Sequence, residues 1–431
     1  MSPGQMSVAF FLQLFVIIAA CRVSGWTMRR LFDQPQVVGE MIAGVVLGPS
    51  LLGLVMPDLQ AALFPQETRT VLYVVSQLGV GLYMFLVGLG FRTEHFGANA
   101  RSAVAVSLSG MAAPFLVALL LTPWLLGQGL FGAGVNATQA TLFTGACISI
   151  TAFPVLARIV QERGLSHLPL GSLSLSAGAI DDAGAWTVLA IVLASFGGGI
   201  GVAVKAVVGG GLFAALMLTV GPHLLAPLAR RAEQDGEVRG PLLAVVLMLF
   251  TASAWAMDGA GLHSVFGGFL LGVAMPRGTL SEGVRRQLEP FTTAALVPMF
   301  FTFSGLNTQL GMVASPQLIL MALVVLAGSV LAKTGACWVA ARMTGQDNST
   351  ALAVGVLMNA RGLMELIVIN IGLQKGIIGP ALFSVLVVMA IVTTLMASPL
   401  FEWVYGRAAR ARGELGQLNE EDATRQQPFR V

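Results

Sequence analysis

The stretch PLGSLSLSAGAIDDAGAWTVLAIVLASF, Pro169 to Phe196, is apolar from end to end except for two adjacent carboxylates, Asp181 and Asp182. It is long enough to cross a bilayer as one helix. A charged side chain at the membrane centre costs about 2.5–3.5 kcal/mol on insertion scales, so the pair costs roughly twice that. A chain that needed only a stable helix has no reason to carry both, which makes the pair the first place to look for a proton or cation site.

The surroundings of this stretch have the same character. Of 431 residues, 56% are hydrophobic and 10% charged, with a mean hydropathy of +0.82, which excludes an ordinary soluble domain and predicts an all-α integral membrane protein. The 51 glycines suit helices that pack through small residues. A net charge of +3 with scattered basic residues is no nucleic-acid signature. Cys21, Cys147 and Cys337 all lie in apolar runs and read as free thiols rather than a disulfide framework. Ile18-Ala19-Ala20-Cys21 resembles a lipoprotein cleavage box, but no Lys or Arg precedes it, so the run reads as the first span.

Thirteen apolar segments of spanning length can be placed, at 7–27, 35–56, 69–91, 102–126, 138–162, 170–197, 201–229, 240–258, 261–276, 287–309, 316–341, 349–373 and 379–405. The distribution of positive charge tests that count. With the N-terminus outside, nineteen of the 24 basic residues fall on the cytoplasmic side. Only Arg69, Lys205 and Lys375 fall opposite, and Lys333 and Arg361 lie within spans. So lopsided a split predicts a multi-pass protein of the cell membrane, N-terminus out and C-terminus in. The polar tail after Tyr405 is expected to be disordered and cytoplasmic.

Two spans are not plain helices. Ser149-Ile150-Thr151-Ala152-Phe153-Pro154 puts hydroxyls and a proline inside the fifth, and Asn359-Ala360-Arg361-Gly362 interrupts the twelfth. Irregular backbone at membrane depth persists only where protein or a wet cavity satisfies the freed groups. The breaks lie seven spans apart, as expected if six-span units before and after a linker span repeat each other. Paired interrupted spans in two halves of a chain point to a transport site.

Successive helical positions are about 100° apart around the axis, so Asp181 and Asp182 cannot point the same way. One can meet a cation on a neighbouring helix while the other faces a cavity. Lys333, deep in its span, is the natural partner, unless it snorkels toward the interface near Arg342. Ser149 and Thr151 supply oxygen ligands or merely back-bond to their own helix. Arg361 and Glu365, four residues apart, can neutralise each other and the broken helix ends. Glu40, in the second span, reads as a packing, gating or ligand residue. Together these groups predict an ion-exchange site in which a carboxylate holds either a proton or a monovalent cation. His95, His167, His223 and His263 have no metal-ligand spacing. No resident cofactor is expected, and the chain does not read as an enzyme: an aspartyl-protease dyad of Asp258 with a central acid would need two carboxyls sharing a proton. A potassium/proton exchanger or channel-like potassium efflux protein is a rival of the same class, and a non-transporting sensor is a further one. Asn136-Ala137-Thr138 is a sequon on the outer side.

At this point a resemblance is evident. Gln34-Pro35, Val38-Gly39-Glu40 through Gly48-Pro49-Ser50-Leu51-Leu52-Gly53, Phe85-Leu86-Val87-Gly88-Leu89, Ser149 to Arg158 (SITAFPVLAR) and Ala179-Ile180-Asp181-Asp182 are similar to motifs of the monovalent cation:proton antiporters of the second cation/proton antiporter group. Met358 to Asn370 (MNARGLMELIVIN) resembles the form found in bacterial relatives of plant cation/H⁺ exchangers. The resemblance, over about residues 34–405, implies a sodium/proton-antiporter-type fold with two inverted repeats and crossed broken helices, Pro154, Asn359, Arg361 and Glu365 shaping the crossing. It implies Asp182 as the proton- and cation-carrying carboxylate, Asp181 paired with Lys333, and Thr151 beside them at the crossing. An Asp-Asp pair at this site resembles members that exchange more than one proton per cation, Na⁺ or K⁺ being the expected cation. The expected partners are monovalent cations, protons, lipid and a second copy of the chain. An elevator-like core would comprise 101–197 and 316–406, and a dimerisation scaffold 1–100 and 233–315, with a linker span at 198–232 and a tail at 407–431. Two departures stand out. The cytoplasmic nucleotide-binding domain of glutathione-gated potassium efflux relatives is not expected in this chain, and Ala360 stands where a threonine is commoner in the motif.

Overall fold

Proline, glycine and polar breaks decide where these apolar runs become helices. The computed structural model describes residues 2–32, 36–90, 93–165, 168–193, 200–260, 264–306, 315–361 and 363–411. Gln34, Pro35, His167, Gly261, His263, Gly362 and residues 412–431 lie outside that set, as do the side chains of His95 and Pro154.

Twenty α-helices run through the described residues, and no β-strand does. The first six are α1 (Pro3–Phe32), α2 (Gln36–Leu47), α3 (Leu52–Val55), α4 (Pro57–Leu63), α5 (Gln66–Gly90) and α6 (Thr93–Gly127). The next six are α7 (Ala137–Ser149), α8 (Phe153–Glu162), α9 (Pro169–Leu193), α10 (Ile200–Thr219), α11 (Gly221–Asp235) and α12 (Gly240–Gly259). Then come α13 (Ser264–Ala274), α14 (Thr279–Phe291), α15 (Val297–Leu306), α16 (Pro316–Met343), α17 (Asn348–Leu357), α18 (Leu363–Gln374), α19 (Pro380–Phe401) and α20 (Arg407–Ala411). Single π-helical turns, Thr292–Leu296 and Glu402–Gly406, join α14 to α15 and α19 to α20.

Among the described residues seven helical stretches are long and apolar enough to cross a bilayer, or eight if a bent pair is one span. That pair, Val207–Thr219 and Gly221–Asp235, bends by 45° inside the predicted 201–229 span, where Pro222 enters the first turn of α11. The predicted 287–309 span is also not one helix. The amphipathic α14 runs into it through a π-turn, and α15 completes it.

The chain forms two compact units. The first comprises Met1–Thr27, Gly39–Thr93 and Trp186–Gln309. Its core gathers Phe85, Leu89, Leu225, Val246, Phe250, Leu271 and Val284, with a second cluster around Ile17, Cys21, Phe64 and Met299. Backbone meets backbone here. A Cβ on Gly272 of α13 would stand 2.2 Å from the Phe85 carbonyl oxygen of α5, and one on Gly88 2.4 Å from that of Phe269. Glycine at both positions lets the short α13, buried almost all round, lie against α5.

The second unit comprises Met28–Val38, Glu94–Ala185 and Leu310–Val431. It contains both interrupted spans. The fifth is α7 and α8, separated by extended residues Ile150 (φ −65°, ψ 133°) and Ala152 (φ −80°, ψ 94°). Pro154 falls in the first turn of α8, where its missing N–H costs no helical bond. The twelfth is α17 and α18, broken around Met358 to Arg361. Three helix starts in this unit carry side-chain caps, at Asn136, Ser315 and Asp347. Asn136 and Gln139 form a reciprocal capping box at α7 (2.9 and 3.2 Å).

Asp347 caps α17, accepting from the Thr350 amide at 3.0 Å. Hydrogen bonds from the Thr350 hydroxyl and amide hold this loop carboxyl below its ordinary range. A folded-state pKa below the unfolded one stabilises above the unfolded value, about 3.9, and the gain is lost as pH falls through the folded value. Asp347→Ala is therefore expected to cost about 1 kcal/mol at neutral pH. The difference from the parent should shrink in acid, as thermal unfolding in detergent across pH would show; a pH-independent difference would assign the loss to something other than the cap.

Candidate functional site

A helix leaves its last four carbonyls without intrahelical partners. In water they would be hydrated; at membrane depth α7 needs other donors. Each of its last four carbonyls has one. Ala146 O accepts the Ser149 hydroxyl at 3.2 Å, and Cys147 O accepts Arg361 Nη1 at 2.9 Å. Ile148 O accepts Arg361 Nη2 at 2.5 Å and the Ser329 hydroxyl at 3.4 Å, and Ser149 O accepts Lys333 Nζ. Two fixed cations thus sit at the negative pole of a half-helix, where the macrodipole favours them.

The end of α17 is closed differently, by its own turn. Met358, Asn359 and Ala360 amides return to the Val354, Val356 and Leu357 carbonyls, and Asn359 Nδ2 reaches Gly355 O at 2.8 Å and the Thr334 hydroxyl at 2.7 Å. The breaks are then tied to each other. Thr151 Oγ1 donates to Met358 O at 2.8 Å and Ala152 N donates to Ala360 O at 2.9 Å. Because the second link uses a backbone carbonyl, alanine at 360 does not weaken it. Thr394 of α19 closes the rest, donating to Arg361 O at 2.7 Å and accepting from Arg361 N at 3.2 Å.

Onto this crossing α9 projects the acidic pair. Asp181 Oδ2 accepts Lys333 Nζ at 3.0 Å and the Thr151 amide at 3.1 Å, all buried. Lys333 is fully buried and does not snorkel. Asp182, 2% exposed, has no hydrogen-bond or ion-pair partner among the described residues, and its Oδ1 is shut off from solvent. Glu365, in the first turn of α18, accepts from Arg361 Nη1 at 3.1 Å through Oε1. The second unit therefore buries Asp181, Asp182 and Glu365 with Lys333 and Arg361, each 0–2% exposed. Three acids against two bases leave one negative charge if all are ionised. A single positive charge, proton or monovalent cation, neutralises the cluster.

Of the two readings of Ser149, oxygen ligand or back-bond to its own helix, the structure shows the back-bond to α7, and its carbonyl is taken by Lys333. Thr151 does the opposite, reaching across to the other broken span. Glu40 is fully buried in the first unit. Asp258 is exposed at the end of α12, unlike a dyad carboxyl that must share a proton out of water. The three cysteines are buried free thiols.

A second charged cluster escaped the sequence reading. Arg158 pairs with Glu162 on α8 (2.5 Å), whose carboxylate also accepts the Gln36 amide. Arg163 pairs with Glu402 and donates to the Ser398 hydroxyl at 2.8 Å, while Arg410 reaches the same Glu402 at 2.6 Å. Only the Arg158–Glu162 spacing of four was visible beforehand; Gln36 lies 126 positions from Glu162, and Arg163 lies 239 from Glu402 and 235 from Ser398.

Comparison with known proteins bears on the whole chain. The family model described as "Sodium/hydrogen exchanger, transmembrane" matches residues 14–405. The chain is 37% identical over 398 residues to the Na(+)/H(+) antiporter NhaS4 of Synechocystis sp., covering 91% of this chain and 96% of that one. It is 32% identical over 410 residues to cation/H(+) antiporter 18 of Arabidopsis thaliana, over 94% of its own length but only half (50%) of the plant protein's. Among solved structures it is similar to the sodium proton antiporter MjNhaP1 from Methanocaldococcus jannaschii at pH 8, with a TM-score of 0.56 over 92% of this chain and 96% of that one. At 13% identity that likeness is one of fold.

Proposed function

The chain belongs to the sodium/hydrogen exchanger family, and we propose that it exchanges a monovalent cation, Na⁺ or K⁺, for protons across the membrane, with Asp182 carrying each in turn. It is a multi-pass membrane transporter and not an enzyme. The observation that carries the assignment is the unpartnered Asp182 inside a buried cluster with one excess negative charge. A proton and a monovalent cation each cancel that charge, and one carboxylate cannot hold both. Competition for Asp182 would couple the two flows.

The remaining groups would position this carboxylate. Lys333 and the Thr151 amide hold Asp181 on the other side of α9, leaving Asp182 to the ion. The links at Thr151 and Ala152 keep the two breaks in register beneath it. In the full reading thirteen spans form two inverted repeats, with the N-terminus outside and the C-terminus cytoplasmic. The second unit would be the elevator-like core, and the first a scaffold that pairs with another copy. The transported ions are the ligands, so no resident cofactor enters.

The test is proton flux in proteoliposomes on adding Na⁺, K⁺ or Li⁺ in turn. Flux with one cation and not the others is expected and names the substrate. Folded protein that moves no protons with any of them across a pH range would sink the reading.

A further inference from the structure

Glu365 is the buried acid that the exchange reaction above does not use. Its side chain is fully buried, Oε1 takes one bond from Arg361, and Oε2 has no partner among the described residues. A carboxylate needed only to neutralise Arg361 would be expected to use both oxygens, since a bidentate pair is the stronger one. Arg361, for its part, does not depend on Glu365. Its two terminal nitrogens also serve the Cys147 and Ile148 carbonyls and the Ser329 hydroxyl, at the negative end of α7. Converting Glu365 to the neutral acid would leave the guanidinium still held by two carbonyls, a hydroxyl and a helix pole. The ion pair can open electrically without opening structurally.

We propose that Glu365 is a second proton-binding site of the exchange cycle, taking up a proton at Oε2 as Asp182 is protonated and releasing it as Asp182 takes the cation. This inference rests on the antiport reading. The charge balance is explicit. With a cation on Asp182 and Glu365 ionised, the five-residue cluster is neutral. With protons on both Asp182 and Glu365 it carries +1. Two protons then exchange for one monovalent cation, and one net charge crosses the membrane per cycle. The groups facing Glu365 are Arg361 from its own broken span, Lys333 from α16 and the Cys147 thiol from α7; α19, which also packs on α18, brings no ionisable side chain.

Glu365→Gln keeps the volume and the oxygen that accepts from Arg361 but cannot titrate. In proteoliposomes with an imposed potential, wild-type cation-driven proton flux should depend on that potential, and the variant should exchange cation for proton with that dependence lost. A variant as potential-sensitive as its parent overturns the proposal, and so does a parent whose flux ignores the potential, while either leaves antiport standing. If Glu365→Gln folds but carries no flux, infrared difference spectra between low and high pH decide. The parent should show one more protonated-carboxyl band than the variant, and identical spectra overturn the proposal. Absence of cation-driven flux in the parent is a separate result, and it fails the antiport reading itself.

Discussion

Asp182→Asn is expected to reduce cation-dependent proton flux to the level of protein-free liposomes while leaving the protein at least as stable as its parent. The two halves of this expectation come from one observation. Asp182 is buried and has no hydrogen-bond or ion-pair partner among the described residues, so amidation breaks no bond that holds the fold. It removes a buried charge whose desolvation is costly when unpaired. It also removes the group that a proton or cation would neutralise. Most substitutions at buried polar sites lose stability and activity together, because the side chain was bonded. Here the two should separate. Flux that survives intact would show that another group carries the ion. A folded, silent variant with a raised unfolding temperature would mark Asp182 as a residue kept for transport at the expense of stability.

Lys333→Ala should do the reverse and strike the fold first. Lys333 makes two buried bonds, to Asp181 Oδ2 and to the Ser149 carbonyl that ends α7. Truncation strands a fully buried carboxylate and one helix-terminal carbonyl together. Removing one partner of a buried ion pair typically costs about 3–5 kcal/mol. Thermal unfolding in detergent should show a loss of that order. Asp181→Asn combined with Lys333→Ala should then lose less than the two single changes summed, because the second removes a charge the first had stranded. Strict additivity would mean that the pair contributes no coupling energy.

How far the sequence could see differs between fold and site. Spanning segments are legible because lipid demands long apolar runs and positive charge gathers on one side. The breaks are legible too, since Pro154 and the Asn359-Ala360-Arg361 run are poor helix interiors at membrane depth. The bend at Val220, the amphipathic α14 and the π-turn at Thr292–Leu296 are not, because tertiary packing rather than local composition sets them. In the site, Asp181, Asp182 and Lys333 announce themselves by insertion cost alone. The capping of α7 does not: Arg361 lies 213 and 214 positions from the carbonyls it holds, and nothing local says that its donors point there rather than at Glu365 alone. The Ser149 rotamer and the Arg163–Glu402–Arg410 chain were hidden for the same reason.

The capped end of α7 has a consequence for the speed of turnover. Four dehydrated carbonyls at the foot of a half-helix would, left open, make a sink for any bare cation arriving from solution. A cation that settled there would dissociate slowly, and a carrier works only when its cargo leaves as readily as it enters. Lys333 and Arg361 occupy that sink permanently with charges tethered to the chain. On the antiport reading, the mobile ion would be left with Asp182 as its resting place, which it could vacate within a cycle. Release rate, more than affinity, is what this arrangement would then protect.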